Sequence, residues 1–276
     1  MNLIEIKDFN APEMDIFARA TERQLREEGL FLAESANVIL RALEAGYEPV
    51  SMLVENGRLE AEAGPVIEAI DKIFGKETAV TIPIYIAERE LVINLTGHKL
   101  VRGLWMMLRR RPGNNVEDFF KDKRRIAVMV DVVNPMNVGA IFRSAAALGM
   151  DGVLLTHSSV DPLTRRTARV SMGTVFQIPW AQASLEESDY PSLMKFLARN
   201  GFKTVAMALT DDSVSVDNDD IRANEKIAVL LGTEGTGLPK IVIDASDYRV
   251  KIPMFHGVDS LNVAAASAIS FWELMK

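Results

Sequence analysis

The chain has 276 residues, of which 48% are hydrophobic and 25% charged, and its formal net charge is −7. These values are typical of a globular protein with one large or two modest domains, and no apolar run approaches the roughly 18 residues of a membrane span. The absence of cysteine excludes disulfides, thiolate metal sites and cysteine nucleophiles, and the three histidines form no ligand motif, so no metal is expected. The N-terminus lacks the residue order of a secretory signal peptide, and we expect a cytoplasmic protein.

The first part of the chain alternates helical and strand patterns. Each predicted helix ends at a glycine, and each predicted strand is a short apolar run. This alternation predicts a small α/β domain over residues 1–111. Its predicted elements are a helix over 12–29, a strand over 30–35, a helix over 36–46, a strand over 49–57, a helix over 64–75 and a strand over 81–88.

A basic segment joins the two halves. Between Arg102 and Arg125 there are eight Lys and Arg residues but only three Asp and Glu residues. Pro112 and Gly113 interrupt regular structure there, so we expect a basic linker over residues 112–125. A solvated linker and a strip that faces RNA are both compatible with this composition.

Residues 126–276 are predicted to form a second domain. Short apolar runs rich in β-branched residues recur and are followed by polar or glycine-rich turns, which is typical of a parallel sheet flanked by helices. Functional sites in such sheets lie beyond the carboxyl ends of the strands. The predicted strands are 126–132, 152–156, 204–209, 227–232 and 248–254.

The first polar loop follows the strand that ends near Asp131. Asn134, Pro135 and Asn137 lead into a predicted helix over residues 138–148, and Arg143 lies about one and a half turns into it. A long cation among small residues is unexpected in a helix that packs on a sheet. The alternative is that Asn137 caps the helix and Arg143 is a surface residue.

Two further loops carry polar groups. In "LLGTEGTGLP", three glycines surround Glu234, with neither the spacing of a dinucleotide fingerprint nor the Lys-Ser/Thr pair of a phosphate loop. In "KIPMFHGVDSLN", Ser260 is the predicted N-cap of the last helix and Asn262 lies in its first turn. A plain glycine turn and ordinary helix capping remain the alternatives.

The order of these loops is more specific than any one of them. N-x-x-N-x-G-x-x-x-R, then G-x-E-G-x-G, then I-P-M followed by S-L-N resembles the SpoU/TrmH class of RNA ribose 2′-O-methyltransferases over residues 126–276. The intervening "TRRTARVSMGTVFQIPW" is similar to that family too. The first 110 residues resemble the family's additional RNA-binding module, which is similar to small ribosomal proteins. Here Glu34 and Ser35 stand where the family often has Glu-Gly.

The resemblance implies a C-terminal parallel-sheet domain tied in a deep trefoil knot, a homodimer, and S-adenosylmethionine as the cofactor. It implies that Arg143 is the catalytic arginine, either as the base that takes the hydroxyl proton or as a cation that holds an RNA phosphate and stabilises the developing alkoxide. Its implied polar partners are Asn137, Glu234, Ser260 and Asn262. The implied cofactor-binding backbone is that of Gly232, Ile252 and Leu261. The candidate RNA-binding residues are Arg165, Arg166, Arg169, Arg124 and Arg125.

The function implied by the resemblance is methyl transfer from S-adenosylmethionine to a ribose 2′-hydroxyl of RNA. Ribosomal RNA is favoured as the substrate because of the N-terminal module, and transfer RNA is the alternative. A non-catalytic RNA-binding or assembly protein of the same fold is a second hypothesis. A nicotinamide-dependent oxidoreductase shares the sheet class but lacks the fingerprint.

Overall fold

The computed structural model describes residues 2–8, 10–18, 20–96, 103–113 and 115–276. The chain forms two compact units. The first unit contains Met1–Pro112 together with Leu163–Phe176, and the second contains Gly113–Pro162 together with Gln177–Lys276. Residues 163–176, which were predicted as part of the second domain, pack with the first unit. Arg102, where the predicted basic segment begins, lies outside the described residues.

The elements are numbered in chain order. The first part of the chain contains β1 (Asn2–Ile6), α1 (Asp15–Ala18), α2 (Glu22–Glu27), β2 (Leu30–Glu34), α3 (Ala36–Glu44), β3 (Pro49–Glu55), α4 (Gly64–Phe74), α5 (Lys76–Thr81), β4 (Pro83–Ala87), α6 (Arg89–Thr96) and β5 (Leu104–Arg109). The rest contains α7 (Val116–Phe119), β6 (Arg125–Met129), α8 (Pro135–Ala147), β7 (Gly152–Leu155), α9 (Arg165–Val170), β8 (Trp180–Gln182), α10 (Tyr190–Arg199), β9 (Lys203–Met207), β10 (Val214–Ser215), α11 (Asp219–Arg222), β11 (Ile227–Leu231), α12 (Lys240–Ala245), β12 (Tyr248–Lys251) and α13 (Val263–Leu274). Short 3₁₀ turns occupy Pro12–Met14 and Thr174–Phe176, and a π-helical turn occupies Leu59–Ala63.

The first unit is a mixed five-stranded sheet in the order β1-β4-β3-β5-β2. β5 runs antiparallel to β2 and β3, whereas β1, β4 and β3 are parallel. β2 is an edge strand, yet all five of its residues are buried, because α2, α3 and α9 pack against it. Covering an edge strand protects its free backbone groups from pairing with another chain.

The predicted single helix over residues 12–29 is wrong. The chain forms a 3₁₀ turn, α1 and then α2, which begins after Thr21. The Thr21 side chain accepts the backbone N–H of Gln24, and the Gln24 side chain accepts the Thr21 N–H. This capping box begins a new helix after Thr21. The apolar residues keep helical spacing across this point, so their pattern alone indicated one helix.

Ser35 joins β2 to α3 with a φ of 82° and a ψ of 145°. Side chains other than glycine rarely adopt this backbone conformation, which costs about 1–3 kcal/mol. We therefore expect Ser35→Gly to raise the free energy of unfolding by about 1 kcal/mol, measured as a higher urea midpoint at an unchanged m-value. Ser144→Gly, within α8, is the matched control, and it should lower stability by about 0.5 kcal/mol. A loss of stability in Ser35→Gly would contradict the assignment of strain.

The second unit is a parallel seven-stranded sheet in the order β10-β12-β9-β11-β6-β7-β8. The central strands β6 and β11 are apolar and almost completely buried, as expected for parallel strands covered on both faces. The predicted parallel sheet is therefore confirmed. α8 and α13 pack against each other, so the two loops that precede them lie at the same edge of the sheet.

The basic segment over residues 112–125 is not a solvated linker. Asn115 caps the short helix α7, and Val116, Phe119 and Phe120 are buried in the core of the second unit. Fully burying one such aromatic side chain contributes about 1.5–3 kcal/mol. The lysines and arginines of this segment therefore flank, in sequence, apolar residues that belong to the core. The net charge of the segment gave no indication of this.

In the part of the chain that the structure describes, no helix is long and apolar enough to cross a membrane.

Candidate active site

A cavity of about 470 Å³ lies at the carboxyl ends of β9, β11 and β12. This volume is within the usual range for a small-molecule site, about 300–1,000 Å³. Three segments form most of its wall, namely the chain after β11, the chain after β12 and the start of α13. The sequence-predicted residues that line it are Gly232, Glu234, Ile252, Ser260, Leu261 and Asn262.

A hydrogen-bonded chain of polar side chains connects α8 with this cavity. Nδ2 of Asn262 donates to Oδ1 of Asn137 at 3.1 Å and also donates to Oε1 of Glu234. Asn137 is buried, and within the described residues its Nδ2 group has no hydrogen-bond acceptor. A buried donor without a partner costs about 1–3 kcal/mol, so it is a group that a bound molecule can satisfy.

The structure excludes the alternative in which Asn137 caps α8, and the predicted cap of α13 at Ser260 is wrong. Asn134, rather than Asn137, caps α8 by accepting the N–H of Met136 at 2.9 Å, and Pro135 occupies the first helical position. Asn262, rather than Ser260, caps α13 by accepting the N–H of Ala264 at 2.9 Å. Because its oxygen caps the helix, its amide group is directed to Asn137 and Glu234.

Arg143 is exposed in the third turn of α8 and does not line the cavity. It is six residues from Asn137, which places the two side chains about 120° apart around the helix axis. Among the described residues it has neither a hydrogen bond nor an ion pair. The structure thus brings Asn137, Glu234 and Asn262 together but leaves Arg143 apart from them within one chain.

Gly232 is required by the chain's own backbone. A Cβ atom at this position would lie within 2.5 Å of backbone atoms of Gly237 and Leu238. A glycine in a binding loop commonly leaves room for a ligand to approach the backbone. The close approach instead comes from the glycine-rich loop itself, which returns across the end of β11 and forms a bridge between Thr233 and Gly237.

A second polar cluster supports the loop before α8. Asp131 has a φ of 55°, and its carboxylate accepts the hydroxyl of Tyr190 at 2.5 Å and that of Thr156 at 2.9 Å. The hydrogen bond to Asp131, and secondly burial, raise the pKa of Tyr190 to about 12. The neutral phenol is favoured in the folded state, so its stabilising contribution is complete below pH 10 and is lost as pH rises through about 12.

The candidate RNA-binding arginines lie in different surroundings. Arg124 is exposed in the second unit, whereas Arg125 is half-buried and donates to the carbonyl of Glu225 at 2.7 Å. Burial lowers the pKa of Arg125, and this side chain holds the start of β6. Arg165, Arg166 and Arg169 all lie on α9 in the first unit.

Several cavity-lining residues were not among the predicted site residues. Met207 is the last residue of β9 and Ala208 and Leu209 follow it, and β9 lies between β11 and β12 in the sheet. The sequence signal that could have found them is their place at the carboxyl end of a predicted strand. They could not be chosen without the strand order, which the sequence did not supply.

A parallel sheet with a cavity at its carboxyl edge and a polar network beside it defines an α/β protein that binds a small molecule. The family model of the SpoU rRNA Methylase family matches residues 124–272. The chain therefore belongs to the SpoU rRNA methylase family.

Relatives and solved structures agree with this family. A tRNA/rRNA methyltransferase of Mycobacterium bovis is 33% identical over 280 residues, covering 99% of this chain and 92% of the relative. An rRNA methyltransferase from Sinorhizobium meliloti, solved with AdoMet bound, superimposes with a TM-score of 0.80 at 24% identity, covering 99% of this chain and 98% of that one. An RNA 2′-O ribose methyltransferase superimposes with a TM-score of 0.79 at 25% identity, with the same coverage. The predicted family and the α/β fold class are confirmed.

Proposed function

We propose that this protein transfers the methyl group of S-adenosylmethionine to a ribose 2′-hydroxyl of RNA, with ribosomal RNA as the substrate. The observation that carries the proposal is the polar chain from Asn137 through Asn262 to Glu234 at the mouth of a cavity of suitable volume. Family membership and the similarity to a ribose 2′-O-methyltransferase support the same reaction.

The cavity fits S-adenosylmethionine. Its wall combines apolar side chains such as Leu231 and Ile252 with the exposed backbone of the glycine-rich loop. Apolar walls with a few placed polar groups are typical of small-molecule sites. When bound there, this cofactor supplies an electrophilic methyl group. We assign its binding to the chain around Gly232, Ile252 and Leu261.

The polar residues then have separate roles. Asn137 lies behind the cavity wall rather than in it, and we assign its Nδ2, which has no acceptor within the described residues, to orienting the substrate when the site is filled. Asn262 fixes the Asn137 side chain and at the same time holds the carboxylate of Glu234 at the cavity mouth. Ser260, which lines the cavity, contacts the ribose. Holding hydroxyl and methyl group in line contributes up to about 7–11 kcal/mol to lowering the barrier.

We assign Arg143 a charged role. Guanidinium groups remain protonated in proteins, so an arginine base is energetically unfavourable. As a cation, Arg143 holds the phosphate next to the reacting ribose and stabilises the developing alkoxide. A proton acceptor for the hydroxyl is then supplied by solvent or by the RNA.

A homodimer would unite Arg143 with a cavity. α8 and α13 pack together, and exposed apolar side chains occur on both helices, at Met136, Ile269 and Trp272, the last with 60% of its surface accessible, and at Val133 just before α8. Exposed apolar surface of this kind is typical of interaction sites. The neighbouring apolar residues Phe271 and Leu274 of α13 are instead buried in the chain's own core. We propose that this surface pairs with a second copy of the chain, so that Arg143 of one copy lies beside the cavity of the other. Sedimentation velocity, which measures whether the chain is a dimer, tests the pairing.

The trefoil knot and the cytoplasmic location stay predictions.

The function is tested by incubating the full chain with methyl-labelled S-adenosylmethionine and, in parallel, unmodified ribosomal RNA and transfer RNA, followed by alkaline hydrolysis. Ribose methylation blocks cleavage at its own linkage, so we expect label in alkali-resistant dinucleotides from ribosomal RNA. Label only in transfer RNA would identify the alternative substrate. Label in mononucleotides would contradict ribose methylation.

The non-catalytic alternative gives a distinct result. A scaffold of this fold would bind RNA, with or without the cofactor, but would transfer no label to either RNA or to ribosomal particles. Isothermal titration with S-adenosylmethionine then separates a protein that binds the cofactor from one whose cavity we have misassigned.

A further inference from the structure

Glu34 is a buried acid at the end of β2. Only 3% of its side chain is exposed, and its carboxylate contacts two arginines of α9. Nη1 of Arg165 lies 2.8 Å from Oε2, and Nη1 of Arg169 lies 3.2 Å from Oε1. Burying a carboxylate is costly unless charged donors compensate it. Glu34 therefore forms ion pairs with two arginines that lie about 130 residues later in the sequence.

The geometry of α9 aligns the two arginines. They are four residues apart, so their side chains leave the same face of the helix. The guanidinium of Arg165 also lies over the ring of Trp105, 5.1 Å from its centroid, and the Arg165 backbone N–H donates to Oε1 of Glu22 at 2.9 Å. The arginine pair is thus held in position by several independent contacts.

Both arginines keep capacity for another anion. Each contacts Glu34 through Nη1, while a guanidinium has five N–H donors. The Arg165 side chain is 37% exposed and the Arg169 side chain 47% exposed, in contrast to the buried acid between them. The three side chains together carry a formal charge of +1. Two guanidinium forks that leave the same face of a helix match the oxygens of a phosphate.

We propose that Glu34 is a positioning residue that holds Arg165 and Arg169 as a two-arginine site for one backbone phosphate of the substrate RNA. This inference depends on the proposed function, since it assumes that RNA is the substrate. Glu34 touches no RNA itself. The opposite possibility is that Glu34 only neutralises the arginines to attach α9 to the first unit, and it predicts an effect of opposite sign.

The test measures the affinity of the full chain for unmodified ribosomal RNA fragments over a range of salt concentrations. Glu34→Gln leaves a hydrogen-bond acceptor but removes the charge that keeps the two guanidinium groups side by side. We expect about ten-fold weaker RNA binding and a salt slope smaller by about 0.7, the value for one lost phosphate contact. Arg165→Ala/Arg169→Ala should show the same loss. Tighter RNA binding by Glu34→Gln, with a steeper salt slope, would overturn the proposal.

Arg165→Lys/Arg169→Lys provides a second test that does not depend on how well Glu34→Gln folds. It keeps both charges but removes the forks, so we expect several-fold weaker binding with an unchanged salt slope. Unchanged affinity would overturn the proposal. Arg23→Ala/Arg199→Ala removes two exposed arginines, each of which pairs with an exposed acid, and should leave affinity within two-fold.

Two controls separate this inference from the proposed function. Affinity for S-adenosylmethionine should stay unchanged in all these variants, since none of the altered residues lines the cavity. If the wild-type chain binds and methylates RNA while the arginine variants behave like wild type, only the inference fails. If the wild-type chain neither binds nor methylates RNA, the proposed function fails first.

Discussion

Replacing Arg143 with alanine should reduce the rate of methyl transfer by about 10²–10³-fold and leave affinity for S-adenosylmethionine within two-fold. Loss of one preorganised donor to a developing oxyanion has an effect of this size. The cofactor should be unaffected because Arg143 does not line the cavity of its own chain. The expected result is therefore a fall in kcat, measured in single-turnover reactions with saturating RNA and cofactor.

The control for Arg143→Ala is Arg199→Ala, which removes an exposed arginine from α10 in the same unit and should not alter the rate. Arg143→Lys distinguishes the two catalytic roles. If Arg143 acts as a cation, the lysine variant retains part of the activity with a flat pH profile near neutrality. If Arg143 is the base, the rate of the lysine variant should rise about ten-fold per pH unit. An equal fall in cofactor affinity and rate in Arg143→Ala would show that the substitution damages the fold instead.

Replacing Gly232 with valine should abolish cofactor binding and destabilise the second unit by several kcal/mol. The first side-chain carbon alone would lie within 2.5 Å of the backbone of Gly237 and Leu238, so the glycine-rich loop must move. Large effects of this kind are characteristic of overpacking against atoms that cannot rotate away. Because the same loop lines the cavity, binding and stability should fall together, as followed by isothermal titration and urea unfolding.

Gly113→Ala is the matched control for Gly232→Val. Gly113 also belongs to the second unit, and a Cβ there meets nothing within 4 Å. It should change the free energy of unfolding by less than about 0.5 kcal/mol. If Gly232→Val lost cofactor affinity while keeping wild-type stability, the glycine would serve the ligand rather than the loop.

The strands of the second unit could be predicted because apolar runs of β-branched residues have few alternatives. Ile227–Leu231 is buried at every position, as its sequence indicates. Asn262 shows where such reasoning ends. Both Ser260 and Asn262 are good caps by type, and only the tertiary position of Asn137 and Glu234 decides that Asn262 begins the helix and bonds to both.

Two other features were hidden for different reasons. Phe119 and Phe120 lie among lysines and arginines, so the charge of the segment indicated a linker although its aromatic residues are core. Glu34 pairs with residues about 130 positions away, and local patterns carry no information on such contacts. In the sequence, Glu34 was singled out only because Ser35 follows it where the resembled family often has glycine. The φ of 82° at Ser35 is a physical reason for glycine at that position.

Because residues 163–176 belong to the first unit, the two units cannot be separated by cutting the chain at a single place. The chain passes between its two units three times, at 112/113, 162/163 and 176/177. A protease cut at the first junction would leave residues 1–112 attached through their non-covalent packing with residues 163–176, which stay covalently part of the other fragment. A fragment starting at residue 113 would carry α9 without β2, the strand it covers, and without Glu34, the acid that compensates its arginines. The methyltransferase unit is therefore best isolated by replacing residues 163–176 with a short polar loop as well as removing the first 112 residues.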